Sequence, residues 1–159
     1  MKLKTQNRTV MILTAALIAA MSLAPIADAR DFFGVRFGFP EIGLQLGSTT
    51  LISRNLGGRL TVDFGYSSNA AILGGDILYT LPIDLPGRGL NLELYFGGGL
   101  GFALGRYSGF DNVHGVIGAN LQLNRDIGIF IEGRPFGYGY DSGYGRYYYG
   151  GGIGLNFTI

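Results

Sequence analysis

A chain of 159 residues without cysteine has room for one domain, and neither a disulfide framework nor thiol chemistry is open to it. Its 12 basic and 11 acidic residues nearly balance, which argues against the basic stripe that nucleic-acid binding requires. A single histidine excludes a multi-histidine metal centre.

Residues 1–29 read as a secretory signal peptide. Lys2, Lys4 and Arg8 form a basic start, Val10 to Leu23 is apolar apart from Thr14 and Ser22, and Pro25 precedes the small-residue site Ala27-Asp28-Ala29. The apolar run is shorter than the roughly 20 residues that span a bilayer, so cleavage after Ala29 is expected rather than an anchor. All 29 glycines, 10 tyrosines and 11 phenylalanines follow this segment. Glycine thus makes up about a fifth of residues 30–159, against an average near 7%. Without Lys2, Lys4, Arg8 and Asp28 the charges reduce to nine arginines and ten carboxylates.

The remaining chain shows period-two alternation, the signature of strands with one apolar face. In Asp31–Phe39, Phe33, Val35, Phe37 and Phe39 oppose Gly34, Arg36 and Gly38. After Pro40, Ile42, Leu44 and Leu46 oppose Glu41, Gly43, Gln45 and Gly47. These two runs allow a second division, one strand bent at Pro40, because proline cannot donate to a ladder. A third run sets Leu60, Val62, Phe64 and Tyr66 against Arg59, Thr61, Asp63 and Gly65. In the fourth, Leu73, Ile77, Tyr79 and Leu81 oppose Gly74, Asp76, Leu78 and Thr80. The fifth and longest sets Leu92, Leu94, Phe96, Leu100 and Phe102 against Asn91, Glu93, Tyr95 and several glycines. The sixth opposes Val113, Ile117, Ala119 and Leu121 to His114, Gly118, Asn120 and Gln122. In the seventh, Ile127, Ile129 and Ile131 oppose Phe130, Glu132 and Arg134. The last sets Tyr147, Tyr149, Ile153, Leu155, Phe157 and Ile159 against Gly150, Gly152, Gly154 and Asn156. Turn-forming residues predict connections at Pro40, Ser53–Gly58, Ser67–Asn69, Pro82–Gly89, Tyr107–Asn112, Asn124–Asp126 and Gly137–Gly145.

Eight strands of this length are expected to form an all-β, antiparallel, up-and-down barrel over residues 30–159, with the last strand pairing with the first. Which face points outward follows from the polar face. It is built of glycine, Asn, Gln, Thr and isolated charges, whereas a solvated strand surface favours Thr, Lys, Glu and Arg. Small residues suit the narrow interior of an eight-stranded barrel, and an apolar exterior suits lipid. The expectation is a transmembrane barrel. The alternative is a soluble periplasmic barrel that buries its apolar face and binds an apolar ligand.

The chain resembles the small eight-stranded outer-membrane barrels of the OmpA and OmpX type. The resemblance spans the expected mature chain and is most specific at Gly152-Ile153-Gly154-Leu155-Asn156-Phe157-Thr158-Ile159. That segment is similar to the terminal-strand signal such proteins present to the barrel-assembly machinery. The family commonly ends on an aromatic residue, whereas here Phe157 lies two before Ile159. The resemblance implies export through the inner membrane, residence in the bacterial outer membrane and contact with its lipid.

Two sets of residues are candidates for function. The first is an inward charge network of Arg36, Arg59, Asp63, Asp76, Glu93, His114, Glu132 and Arg134, read as a plug in which each buried charge needs a partner. The sharper readings are a narrow pore or a lipid-modifying enzyme. For the latter, Ser108 and His114 are the available pair, but no G-x-S-x-G elbow surrounds a serine. The second set is Tyr138, Tyr140 and Tyr144, in an expected extracellular loop that would contact a ligand or surface. Gly97–Gly101 fits no phosphate-loop pattern. No catalytic residue, metal or cofactor is expected, and the function expected is that of a non-enzymatic envelope protein acting through its loops.

Overall fold

The computed structural model describes residues 31–39, 41–65, 71–84, 90–104, 109–141 and 144–159. The expected signal peptide, Pro40 and Ser108 lie outside the described residues. Eight strands follow one another: β1 (Asp31–Phe39), β2 (Glu41–Ser53), β3 (Leu56–Gly65), β4 (Ala71–Asp84), β5 (Asn91–Leu104), β6 (Gly109–Gln122), β7 (Ile127–Asp141) and β8 (Tyr144–Thr158). Each pairs antiparallel with the next, and β8 returns to β1, so the sheet closes as a barrel with no free edge. The closing register matches Phe33 with Phe157, Val35 with Leu155 and Phe37 with Ile153.

The first two runs are separate strands rather than one bent strand. Phe37 pairs with Ile42 and Arg36 with Gly43, so the chain reverses between Phe39 and Glu41. Several segments expected as loops belong to strands instead. Gly57 and Gly58 pair with Leu78 and Ile77, leaving Arg54 and Asn55 as the turn. Pro82 pairs with Glu93, and Gly109 and Phe110 pair with Ala103 and Phe102. The expected loop Gly137–Gly145 is mostly ladder, with Tyr138 opposite Tyr147, Tyr140 opposite Gly145 and Asp141 opposite Tyr144. Ladder hydrogen bonds with neighbours on both sides override the local turn preference of Gly, Asn and Asp. The connections are therefore only one to six residues long.

The register shifts at three places: in β2 between Ser48 and Ser53, where it pairs with β3, and at single extra residues in β7 and β6. Between Arg134 and Gly137, β7 carries one residue more than either neighbour, at Pro135 and Phe136. Proline has no N–H for the ladder, and a bulge leaves a residue unpaired. The extra residue inverts the side-chain alternation: Glu132 and Arg134 point inward before it, Gly137 and Gly139 after it. A second extra residue, Asp111, sits in β6 opposite the Gly101–Phe102 step of β5.

The barrel is polar inside and apolar outside. Its buried side chains include fourteen polar or charged residues against five hydrophobic ones. The apolar chamber that the soluble alternative requires is therefore not built. On the exterior, Ile77, Phe96, Ile117, Ile131 and Ile153 are each at least half exposed, one on each of β4 to β8. Among the strand residues whose exposure is described, none that is exposed carries a charge. Val62 points outward yet is only 5% exposed, because the larger Leu44 and Leu73 flank it in register.

Closure between first and last strands can be tested covalently, since the native chain has no cysteine. A Val35→Cys/Leu155→Cys pair should form an intramolecular disulfide on mild oxidation, because directly opposed residues fall within disulfide reach. A Val35→Cys/Phe96→Cys pair, joining β1 to the distant β5, should not. The reverse outcome on a gel of the folded protein would mean the sheet is open.

Candidate functional site: a charged plug and a polar vestibule

Antiparallel closure brings one charged residue after another to the same level of the lumen. Arg36 of β1 reaches Asp63 (Nη2–Oδ1, 2.6 Å) and Glu132 (Nη1–Oε1, 3.0 Å). Arg59 of β3 binds Asp76 and, through Nη1, Glu132 Oε2, both at 2.5 Å. Arg134 of β7 binds Asp63 at 3.1 Å and Glu41 at 3.2 Å. Arg36 also reaches Glu41 at 3.3 Å. His114 Nε2 lies 2.9 Å from Asp76 Oδ1, and its Nδ1 lies 2.6 Å from Asn112 Oδ1. Tyr95 donates its hydroxyl to Glu132 at 3.2 Å. Glu132 is thus shared by two arginines and a tyrosine, and its side chain is fully shielded from solvent. Among the described residues the one buried side-chain polar atom without a partner is Arg134 Nε, 3.9 Å from Glu132 Oε1.

Seven of the eight sequence-identified lumen residues therefore join a single connected network with Glu41. Glu93 is placed elsewhere, lower on the inner wall, where it accepts a hydrogen bond from Asn120 Nδ2 at 3.1 Å. Glu41, Tyr95 and Asn112 were absent from the candidate set. Glu41 lies on the same alternating face as Gln45, and Tyr95 on the same face as Glu93; parity was the signal available for both.

The glycines of the inner face explain how these pairs form. Arg36 and Asp63 stand on β1 and β3, two strands apart, and in both ladders the residue between them is Gly43. Asp76 and His114, on β4 and β6, likewise have Gly99 between them on β5. A Cβ added at Gly43 would collide with Asp63 Oδ1, and one at Gly99 with Asp76 Oδ1. Glycine lets side chains on alternate strands meet across the top of the intervening one. It weakens a strand, but here it supplies the room that a buried charge needs to reach its partner.

Below the network, at the barrel end where β1 begins and β8 ends (the terminus-bearing end of the barrel), the lumen opens into a cavity of about 400 Å³. Its floor includes Arg59, Leu78 and Tyr95, and its walls include Gln45, Asn120 and Asn156. At the opposite end a void of about 10 Å³ beside Arg36, Glu41 and Arg134 has the size of one water molecule. The wide cavity ends on the ion-paired layer.

Of the tyrosine set, Tyr138 packs edge-on against Tyr147, with ring centroids 5.2 Å apart. Tyr138, Tyr140 and Tyr144 lie on strands rather than in a loop; this corrects the expected placement. The ladder continues almost to the hairpin tip because β7 and β8 pair up to Asp141 and Tyr144.

The role of glycine gives a direct test. Gly99→Ala should destabilise the barrel by about 1–3 kcal/mol through overpacking, since its Cβ meets both the Asp76 carboxylate and the Gly75 carbonyl oxygen. Gly109→Ala, which meets nothing within 4 Å, should stay within about 0.5 kcal/mol of the parent. Denaturant titration of both proteins, with equal losses as the contrary result, decides the point.

No protein-family model and no curated protein sequence matches the chain. Among solved structures it is similar to the crystal structure of Neisserial surface protein A (NspA), with a TM-score of 0.49 and 11% identity over 82% of this chain and 94% of that one. It is also similar to the crystal structure of the N-terminal β-barrel domain of Pseudomonas aeruginosa OprF, with a TM-score of 0.48 and 15% identity over 81% and 95% of the two chains.

Proposed function

We propose that this chain is a bacterial outer-membrane protein whose barrel is sealed by its charge network, and that it serves the envelope as a non-enzymatic structural or interaction protein. The observation that carries the reading is the inverted distribution of polarity. Among the strand residues whose exposure is described, an exterior without charge surrounds a lumen of paired charges. A charge facing lipid at the midplane costs about 2–4 kcal/mol, whereas a lumenal charge escapes that cost. Aromatic rings gather toward the end opposite the termini, where Phe39, Tyr147 and Tyr149 are more than three-quarters exposed. Tyrosine favours the boundary between lipid and water, so this cluster suits an interfacial girdle.

The enzyme reading finds little support in the geometry. Both ring nitrogens of His114 are held by Asp76 and Asn112, and the residue is 3% exposed, so no nitrogen faces a substrate. The pore reading meets the layer of Arg36, Arg59 and Arg134 with their carboxylates across the lumen. Connections of one to six residues leave little loop to act through. Any surface contact would fall on the ends of the hairpins, the β7–β8 hairpin with Tyr138, Tyr140 and Tyr144 among them. With the termini on the periplasmic side, that hairpin end faces the exterior and Asn124–Asp126 faces the periplasm. Insertion would proceed through the barrel-assembly machinery by way of the last strand.

Fractionation and electrophoresis test this reading. The protein should sediment with the outer membrane and change its gel mobility on boiling, as a folded barrel does. Refolded into vesicles, Ile77→Arg should lose about 2–4 kcal/mol of stability, because Ile77 is 56% exposed near the middle of β4. A soluble periplasmic protein, or an Ile77→Arg variant as stable as the parent, would refute the membrane assignment.

A further inference from the structure

We infer that the cavity at the terminus-bearing end of the barrel is a binding site for a neutral saccharide. This inference rests on the cavity itself and does not depend on where the barrel resides.

The lumen is divided in two. The upper part is filled with arginines and carboxylates that satisfy one another, and the lower part is left open with a volume of about 400 Å³, within the range of small-molecule sites. The side chains of the open part are of a different kind. Gln45 donates to Asn156 Oδ1 at 2.7 Å, Asn156 donates to Asn120 Oδ1 at 3.4 Å, and Asn120 donates to Glu93 at 3.1 Å. Arg59 anchors the band by donating to Gln45 Oε1 at 3.0 Å. A belt of carboxamides thus runs round the wall from β2 through β8 to β6 and ends on the Glu93 carboxylate of β5. Gly34 lies between Gln45 and Asn156 in the ladders, as Gly43 and Gly99 lie between members of the charge network.

Three features select the ligand. Each carboxamide carries two N–H donors and a two-lone-pair acceptor; the belt uses only part of this capacity and keeps both kinds of group at fixed positions, which suits hydroxyls that donate and accept. Thr80 is 8% exposed and lines the cavity, and its hydroxyl makes no hydrogen bond among the described residues. That hydroxyl opens onto the cavity, where a ligand hydroxyl can pair with it in place of water. Finally, Leu78 and Tyr95 on the floor offer an apolar surface to the C–H face of a sugar ring. Charge does not drive the selection: the lining holds two cations, Arg59 and Arg125, against two carboxylates, Asp31 and Glu93, with Arg59 already paired to Asp76 and Glu132 and Glu93 accepting from Asn120.

The test uses the protein refolded in dodecylphosphocholine micelles, which bring no sugar headgroup. Glucose, maltose and N,N′-diacetylchitobiose are titrated while the side-chain amide signals of Asn and Gln are followed by ¹H–¹⁵N NMR. At least one of these saccharides should shift the Gln45, Asn120 and Asn156 amides saturably, and glycerol at equal concentration should not. Thr80→Val keeps the shape and removes the hydroxyl, and should weaken binding about tenfold, whereas Gly109→Ala should bind like the parent. Folding of each variant is verified by heat-modifiable mobility. No saturable shift with any saccharide, an equal response to glycerol, or parental affinity in folded Thr80→Val would each overturn the inference.

Discussion

The structure depends on a carboxylate with nowhere else to go. Glu132 sits on β7, its side chain sealed from solvent, and it is held by Arg36 from β1, Arg59 from β3 and the Tyr95 hydroxyl from β5. Four of the eight strands thus converge on one residue. A buried ion pair adds little net stability compared with apolar packing, but breaking one by removing a partner costs about 3–5 kcal/mol. The network therefore acts chiefly as a constraint. It penalises any register or closure that would leave one of these charges alone, and a one-residue slip of a strand would turn that strand's charges toward the apolar exterior.

The glycine content follows from the same constraint. Where two partners stand two strands apart, as Arg36 and Asp63 or Asp76 and His114 do, the strand between must offer no side chain at that level. Gly43 and Gly99 meet that need for the ions, and Gly34 meets it for the carboxamides. A composition that would elsewhere signal a low-complexity segment is here the complement of a crowded lumen. The described exterior can then be predominantly apolar, since every strand charge whose exposure is described has been gathered inside or lies toward a strand end.

Much of this was legible in the sequence. The alternation of Leu60, Val62 and Phe64 with Arg59, Thr61 and Asp63 revealed both the strand and its inward face, and the same parity placed seven charges where they meet. What parity could not reveal was partnership, which depends on the level of each residue along the axis and so on the registers of eight ladders. Glu93 has the right parity, but the registers place it on the wall of the vestibule instead. The bulge at Pro135–Phe136 was hidden because an extra residue leaves the local pattern of β7 unchanged on each side and only inverts it beyond. The hairpin ends were misread as loops for a related reason. Gly, Asn and Asp favour turns when considered alone, but at Gly137–Asp141 the ladders to β6 and β8 decide.

The coupling between Glu132 and its arginines tests this account most directly. Stabilities of the parent, Glu132→Gln, Arg59→Gln and the double variant, refolded in the same vesicles, form a double-mutant cycle. If the two residues depend on one another as partners in a sealed lumen, each single change strands a buried group, and the double variant should lose at least 1 kcal/mol less than the sum of the two. Losses that add to within about 0.3–0.5 kcal/mol, as they do for independent sites, would contradict the claim that the plug holds the barrel in register.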